Sequence, residues 1–251
     1  TLYSSIFAGY NAKEIVDQIK FQLDGFEVSE NVKYKFTGEI EEQDKNQDFL
    51  NTALIMALML ILLLLVFQFN SIVKPLIIIL SIFLSFIGVF LGLIIFDMTF
   101  VIIMTMLGII SLAGIVVNNS VVLIDYTQLL LDRKKAKLNL EKDNMLPKNE
   151  IFESIVKGGK ARLRPVILTA ITTILGLIPL AIGLNIDLMS LFSTGDPNIY
   201  IGGDNVIFWG PLAWTVIFGL TFATFLTLII VPVTFYLSKR LALKIRSFKL
   251  S

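Results

Sequence analysis

Apolar runs too long for a globular core alternate with short polar stretches along this chain. Five segments, Phe49 to Phe69, Ile72 to Phe96, Phe100 to Leu130, Leu163 to Leu184 and Val206 to Leu237, carry almost no charge. About 20 residues cross a hydrocarbon layer of ~30 Å at ~1.5 Å per residue. The pattern therefore predicts five membrane-spanning helices and, as fold class, a membrane all-α helical bundle. The third and fifth segments exceed that length and are expected to tilt or to continue as helix beyond the lipid.

The first 48 residues follow a different pattern. Thr1 to Ala8 reads as a strand, Asn11 to Leu23 as a helix, and the alternation of Val32-Lys33-Tyr34-Lys35-Phe36, extending to Thr37, as a second strand. Ile15, Ile19 and Leu23 recur at helical spacing and predict the buried face, while Asn11 and Glu14 form a capping-box-like pair. Strand, helix and strand make a small N-terminal α+β portion, too little to bury a core alone. The expectation is that its partners precede Thr1, and that the chain is a piece of a longer protein. The predicted organisation is an α+β piece over 1–48, a membrane domain over 49–237 and a basic tail over 238–251.

Charge predicts the orientation. Ten Lys and Arg fall between Leu131 and Arg164, and five more follow Leu237, whereas the charged residues of Asp97 to Thr99 and Asn185 to Asn205 are all acidic. By the positive-inside rule, the loop at about 131–162 and the C-terminus are expected in the cytoplasm. Residues 1–48 and the loop at about 185–205 are expected on the other side. Within the basic loop, Ile151, Phe152, Ile155 and Val156 make one stripe, which fits either an interfacial amphipathic helix or a helix packed on a neighbouring loop. Arg164-Pro165 reads as a helix start. Thr194-Gly195-Asp196-Pro197 is a turn signal in a structured loop.

Composition narrows the chemistry. Only 16% of residues are charged and 55% are apolar, with no Cys and no His. Thiol nucleophiles, disulfides, Cys/His zinc sites, histidine-ligated haem and imidazole-based triads are excluded. A net charge of +1 gives no case for nucleic acid. No cofactor, resident metal or enzymatic activity is expected.

Polar groups inside lipid are costly, so each one is a functional candidate. In the third segment Ser111, Asn118 and Asp125 recur every seven residues and share a helix face, with Gly108 and Gly114 close to it. Small residues there would let another helix approach, and Asn118 and Asn119 read either as hydrogen-bonding glue or as part of an ion pathway. Asp125 lies nearer the basic end, where hydration alone can account for it. In the fourth segment Arg162, Thr169 and Gly176 share a face, with Thr172 and Thr173 beside it. Arg162 reads either as an anchor that snorkels to lipid phosphates or as a cation reaching inward. Pro179, Pro211 and Pro232 are kink candidates.

These residues also carry a resemblance. Gly114-Ile115-Val116-Val117-Asn118-Asn119-Ser120-Val121-Val122-Leu123-Ile124-Asp125-Tyr126 resembles the tenth transmembrane helix of resistance–nodulation–division (RND) efflux transporters. Arg162-Leu163-Arg164-Pro165-Val166-Ile167-Leu168-Thr169 with Gly176-Leu177-Ile178-Pro179-Leu180 resembles the eleventh, and Leu228-Ile229-Ile230-Val231-Pro232-Val233 the twelfth. Residues 1–48 resemble the end of the porter domain, including the glycine after its last strand, Gly38. The resemblance implies the C-terminal part of a pump of the hydrophobe/amphiphile exporter type, from the late porter domain through helices eight to twelve.

By that resemblance, two aspartates on helix four, outside these residues, exchange protons. Arg162, Thr169 and the position of Asn118 complete the relay with Asn119. Ser111 and Asp125 are weaker candidates. The family has Lys where this chain has Asn118, and Asn cannot alternate in an ion pair, so the coupling ion is open between proton and sodium. Also implied are a homotrimer in the bacterial inner membrane, a periplasmic adaptor protein, an outer-membrane channel and small amphiphilic substrates. The rival is the proton-driven accessory subunit of the protein-export machinery. An intramembrane aspartyl protease is disfavoured, since Asp125 alone lies within a span and no Gly-x-Gly-Asp motif occurs. A heavy-metal exporter is disfavoured too, because no methionine pair or triad is read along a helix face, although Met56 and Met59 are close.

Overall fold

The computed structural model describes residues 12–24, 36–140 and 146–249. The elements in order are α1 (Ala12–Asp24), α2 (Glu39–Phe69), α3 (Val73–Ile95), α4 (Ile102–Lys137), α5 (Lys148–Ile182), β1 (Leu184–Asn185), α6 (Leu188–Thr194), β2 (Tyr200–Ile201) and α7 (Asp204–Lys249). Among the described residues, α2, α3, α4, α5 and α7 are long and apolar enough to cross a membrane. The chain divides into two compact units, Thr1–Thr52 and Ala53–Ser251.

In the first unit, α1 occupies the predicted helix. Ile15 and Leu23 are half-buried on it but Ile19 is exposed, so the described residues do not cover the whole predicted apolar face. Lys20 lies 3.8 Å from the Asp44 carboxylate and 5.6 Å over the Phe36 ring. Gly38 turns the chain into α2 at φ +105°, a conformation that suits glycine. The expected strands and the Asn11 cap fall on residues 1–11 and 25–35, outside those described, apart from Phe36 and Thr37, which have no regular structure.

The second unit is organised around α7, which packs on α3, α4 and α5. Small residues set the closest approaches. At Gly88 and Gly92 of α3 an added Cβ would sit 2.2 Å from side-chain atoms of Phe222 and Phe218, so the α7 rings occupy the space those glycines leave. Gly219 of α7 receives Leu112 of α4 and Val89 of α3 in the same way. Without a hydrophobic drive between helices in lipid, such close van der Waals fit is what holds them together. Phe218 also stacks on Phe96 and Trp214, with centroids 5.0 and 5.3 Å away. Buried Ser81 of α3 and Ser120 of α4 share a hydrogen bond of 3.0 Å.

Two core layers result. One gathers Ile82, Val89, Leu112, Val116, Leu220 and their neighbours; the other, toward the basic end, gathers Ile78, Leu123, Leu131, Ile151, Ile155 and Phe235. The second layer corrects the expectation of a helix start at Arg164-Pro165. α5 begins at Lys148, and Pro165 lies in its interior. Proline costs a backbone hydrogen bond there, yet Ile151 and Ile155 are buried in the layer shared with α4 and α7, and that packing holds a helix that starts between four and five turns before Pro165. The apolar stripe is thereby split: Ile151 and Ile155 pack on protein, while Phe152 and Val156 stay exposed. Across the same junction Lys134 of α4 pairs with Glu150 and Glu153 of α5.

The loop between α5 and α7 is structured, as its turn signal indicates. β1 and β2 pair antiparallel, Leu184 opposite Ile201, and the Asp187 side chain accepts from the Ser190 N–H to cap α6. Gly195 ends α6 at φ +75°, and Asp196 accepts from the Asn198 N–H.

Candidate functional site

The polar faces of α4 and α5 open onto one cleft of about 580 Å³. Ser111, Gly114, Ile115, Asn118 and Asn119 of α4 line one side, and Thr169, Thr172 and Thr173 of α5 the other. The heptad spacing explains the grouping. Seven residues are close to two turns of a 3.6-residue helix, so Ser111 sits one layer from Asn118 on the same face. Thr169, Thr172 and Thr173 stand at i, i+3 and i+4, also one face. Asn119 is 9% exposed, whereas Asn118, Ser111 and Thr169 are exposed toward the cleft.

Each threonine settles its own proton locally. The Thr169 hydroxyl donates to the Val166 carbonyl at 2.9 Å, Thr172 to Leu168 and Thr169, and Thr173 to Thr169 at 2.8 Å. Hydroxyls in helices commonly bond back in this way. What they leave facing the cleft is oxygen lone pairs. With the two amides, the lining is polar and uncharged.

The remaining predicted residues lie elsewhere. Arg162 is seven residues, about 10 Å of helix rise, before Thr169 and does not line the cleft. Its guanidinium carbon stands 4.4 Å from the centroid of the Tyr126 ring, a cation–π contact between α5 and α4. Its Nε is buried with no hydrogen-bond partner. Asp125 is exposed and also outside the lining. Over two heptads the face drifts by about 40° and the helix rises by about 21 Å, which separates Asp125 from Ser111.

The glycines divide as well. Gly108 lies under Thr215 of α7, where an added Cβ would approach to 2.8 Å, but around Gly114 and Gly176 nothing comes within 4 Å. Close approach by a neighbouring helix, expected at both Gly108 and Gly114, therefore holds for Gly108 alone. Six residues apart, the two are about 120° apart around the helix and bracket Ser111. The α4–α5 crossing is instead close at Gly158, where a Cβ would meet the Thr127 hydroxyl at 2.5 Å.

Thr172 and Thr173, which the sequence places beside the Thr169 face, line the cleft with it. Tyr126 as the platform for Arg162 is not signalled by spacing, although it follows Asp125 in the quoted motif.

Chemically, amides and hydroxyls do not titrate in the ordinary range. The cleft can orient and solvate a charge but cannot itself take up a proton. Arg162 supplies a positive charge beyond the basic end of the cleft.

Comparison with known proteins agrees with the resemblance. The family model described as the AcrB/AcrD/AcrF family matches residues 2–239. The swarming motility protein SwrC of Bacillus subtilis is 31% identical over 225 residues, covering 90% of this chain and 18% of that protein. The multidrug resistance protein MdtC of Klebsiella pneumoniae is 25% identical over 244 residues, 97% of this chain and 21% of its own length. A crystal structure of a heavy metal efflux pump superposes with a TM-score of 0.63 at 26% identity, covering 91% of this chain and 20% of that one. The chain thus spans about a fifth of the length of the relatives it matches. On the family match, and on the three motifs now seen on α4, α5 and α7, the chain belongs to the AcrB/AcrD/AcrF family of RND transporters.

Proposed function

We propose that the chain works as the C-terminal membrane portion of an exporter of hydrophobic and amphiphilic compounds, driven by the proton-motive force. The observation that carries this reading is the shared α4–α5 cleft, in which Ser111, Asn118, Asn119 and Thr169 come together although 50 residues separate the two helices' contributions. In this reading, carboxylates on a facing helix outside these residues change protonation. The amides and Thr169 accept or release hydrogen bonds with them, and Arg162, held against Tyr126, balances the ionised state. Removing one partner charge from a low-dielectric site changes which helix packing is favoured, and that movement works the export pathway.

Further proposals follow from the same reading. Residues 1–48 would be the end of a periplasmic porter domain, with the C-terminus in the cytoplasm and the membrane domain in the inner membrane. The assembly would be a homotrimer with a periplasmic adaptor and an outer-membrane channel. The family match supports a pump over the protein-export accessory subunit. A multidrug relative supports organic substrates, and with neither Cys nor His the chain offers a soft metal ion only its seven methionines.

The test is export in cells carrying the full-length transporter. Arg162→Ala is expected to reduce resistance to the level of an empty vector while the protein still reaches the membrane in normal amount. Arg162→Lys is expected to restore part of it, since the charge remains but the planar stack on Tyr126 is lost. Undiminished resistance in Arg162→Ala would remove Arg162 from the mechanism.

A further inference from the structure

Between α5 and α7 the chain does something unusual for a connection between two spans: it displays its largest apolar side chains outward. Met189 and Phe192, at i and i+3 on one side of α6, are 84% and 86% exposed. Ile201 on β2 and Ile207 on the first turn of α7 are 71% and 74% exposed, with Tyr200 and Phe208 also more than half exposed. Isolated exposed apolar residues are unremarkable, but this many large ones on one short segment point to an interface.

The backbone of the same segment is hydrogen-bonded largely from within, although most of its Asp, Ser, Thr and Asn side chains are exposed as well. The β1–β2 pairing, the Asp187 cap on α6, the Asp187 N–H to Pro197 carbonyl bond, and Asn185 donating to the Gly183 and Gly202 carbonyls satisfy the backbone from within. This matters because a segment can enter the lipid boundary only if it strands few backbone groups. No Lys or Arg lies between Asn185 and Asn205.

Position supplies the occupant. From Arg162 to Ile182 α5 rises by about 30 Å, the thickness of the hydrocarbon layer. β1 starts two residues later, and β2 ends three residues before α7 begins. With no spacer at either end, the segment sits at the membrane surface. Past the exposed Asp204 and Asn205, Ile207 and Phe208 present further exposed apolar side chains at the start of α7. We infer that α6 and the β1–β2 hairpin form an interfacial paddle that lies in the boundary of the bilayer, with Met189 and Phe192 inserted among the lipid chains. This inference does not depend on the transport reading; it requires only that α5 and α7 span the membrane.

The chain has no native cysteine, so single spin labels can be placed cleanly. Met189→Cys, Phe192→Cys and Asp196→Cys are each labelled in the full-length transporter, freed of any cysteine outside these residues, in nanodiscs of phosphatidylcholine and phosphatidylglycerol. Leu168→Cys, on the exposed face of α5, gives the deep reference. Collisions with oxygen, which concentrates in lipid, are compared with those of a water-soluble nickel chelate. Labels at 189 and 192 are expected to favour oxygen, as at 168, while the label at 196 favours the chelate. Preference for the chelate at 189 and 192 would place the paddle in water and overturn the inference. Shielding from both reagents would overturn it equally, by showing that protein covers the patch. These substitutions are at exposed positions, and far-ultraviolet circular dichroism of each labelled protein, matched to the unlabelled one, shows that it is folded.

Discussion

Gly92→Ala and Gly114→Ala form a matched pair that isolates the packing claim. Both remove a glycine from a long helix, Gly92 in the last turn of α3 and Gly114 well inside α4, and each gains no more than about 0.5–1 kcal/mol from helix propensity. Their surroundings differ far more. At Gly92 the new methyl would lie 2.2 to 2.5 Å from Cγ, Cβ and Cδ2 of Phe218, whereas at Gly114 nothing lies within 4 Å. A comfortable carbon–carbon contact needs about 3.5–4.0 Å, so α3 and α7 must separate by roughly 1 Å or more. Because the clashing atoms include the first carbon of the side chain, rotating the ring cannot relieve it. Phe218 is moreover fixed between Phe96 and Trp214. Overpacking of this kind costs about 1–3 kcal/mol, and since the two propensity gains differ by less than this, it sets the expected difference between the two variants. Unfolding in mixed micelles of mild detergent and dodecyl sulfate, followed by far-ultraviolet circular dichroism, measures it. If Gly92→Ala proves as stable as Gly114→Ala, the α3–α7 contact described here is wrong.

Other predictions follow from single contacts. A double-mutant cycle on Ser81→Ala and Ser120→Ala should return a coupling of about 0.6–1.7 kcal/mol, the range for hydrogen bonds between membrane helices; additive effects would mean the 3.0 Å contact is not formed. Tyr126→Leu should destabilise by about 0.5–2 kcal/mol through loss of the cation–π contact, while Tyr126→Phe should be close to neutral, and equal losses in both would implicate the hydroxyl instead. Trp214→Phe keeps most of the stacking but removes the indole donor to the Ala181 carbonyl, at a cost of about 1 kcal/mol by the same unfolding assay.

The spans were legible because lipid imposes a length and a polarity that nothing else in a chain imitates, and the grouping of Ser111 with Asn118 was legible because heptad spacing is a direct statement about helix faces; the same spacing set Arg162 with Thr169 and Asp125 with Asn118, yet neither Arg162 nor Asp125 lines the cleft. What stayed hidden depended on a second helix. Pro165 is a start signal by local chemistry, and only the burial of Ile151 and Ile155 on α4 and α7 makes it an interior residue. Gly108 and Gly114 look equivalent in sequence, yet α7 reaches one and the open cleft lies at the other. The hub role of α7 was likewise invisible, because its inward glycine and alanines are ordinary residues in any apolar helix.

The account stands most directly on proton-driven substrate efflux from vesicles holding the full-length transporter with Thr169→Val. Valine keeps the shape and removes the one oxygen that Thr169 offers the cleft. A rate at least tenfold lower, with unchanged protein level and helix content, is the predicted result. Efflux at the unmodified rate would contradict the claim that the α4–α5 cleft takes part in coupling.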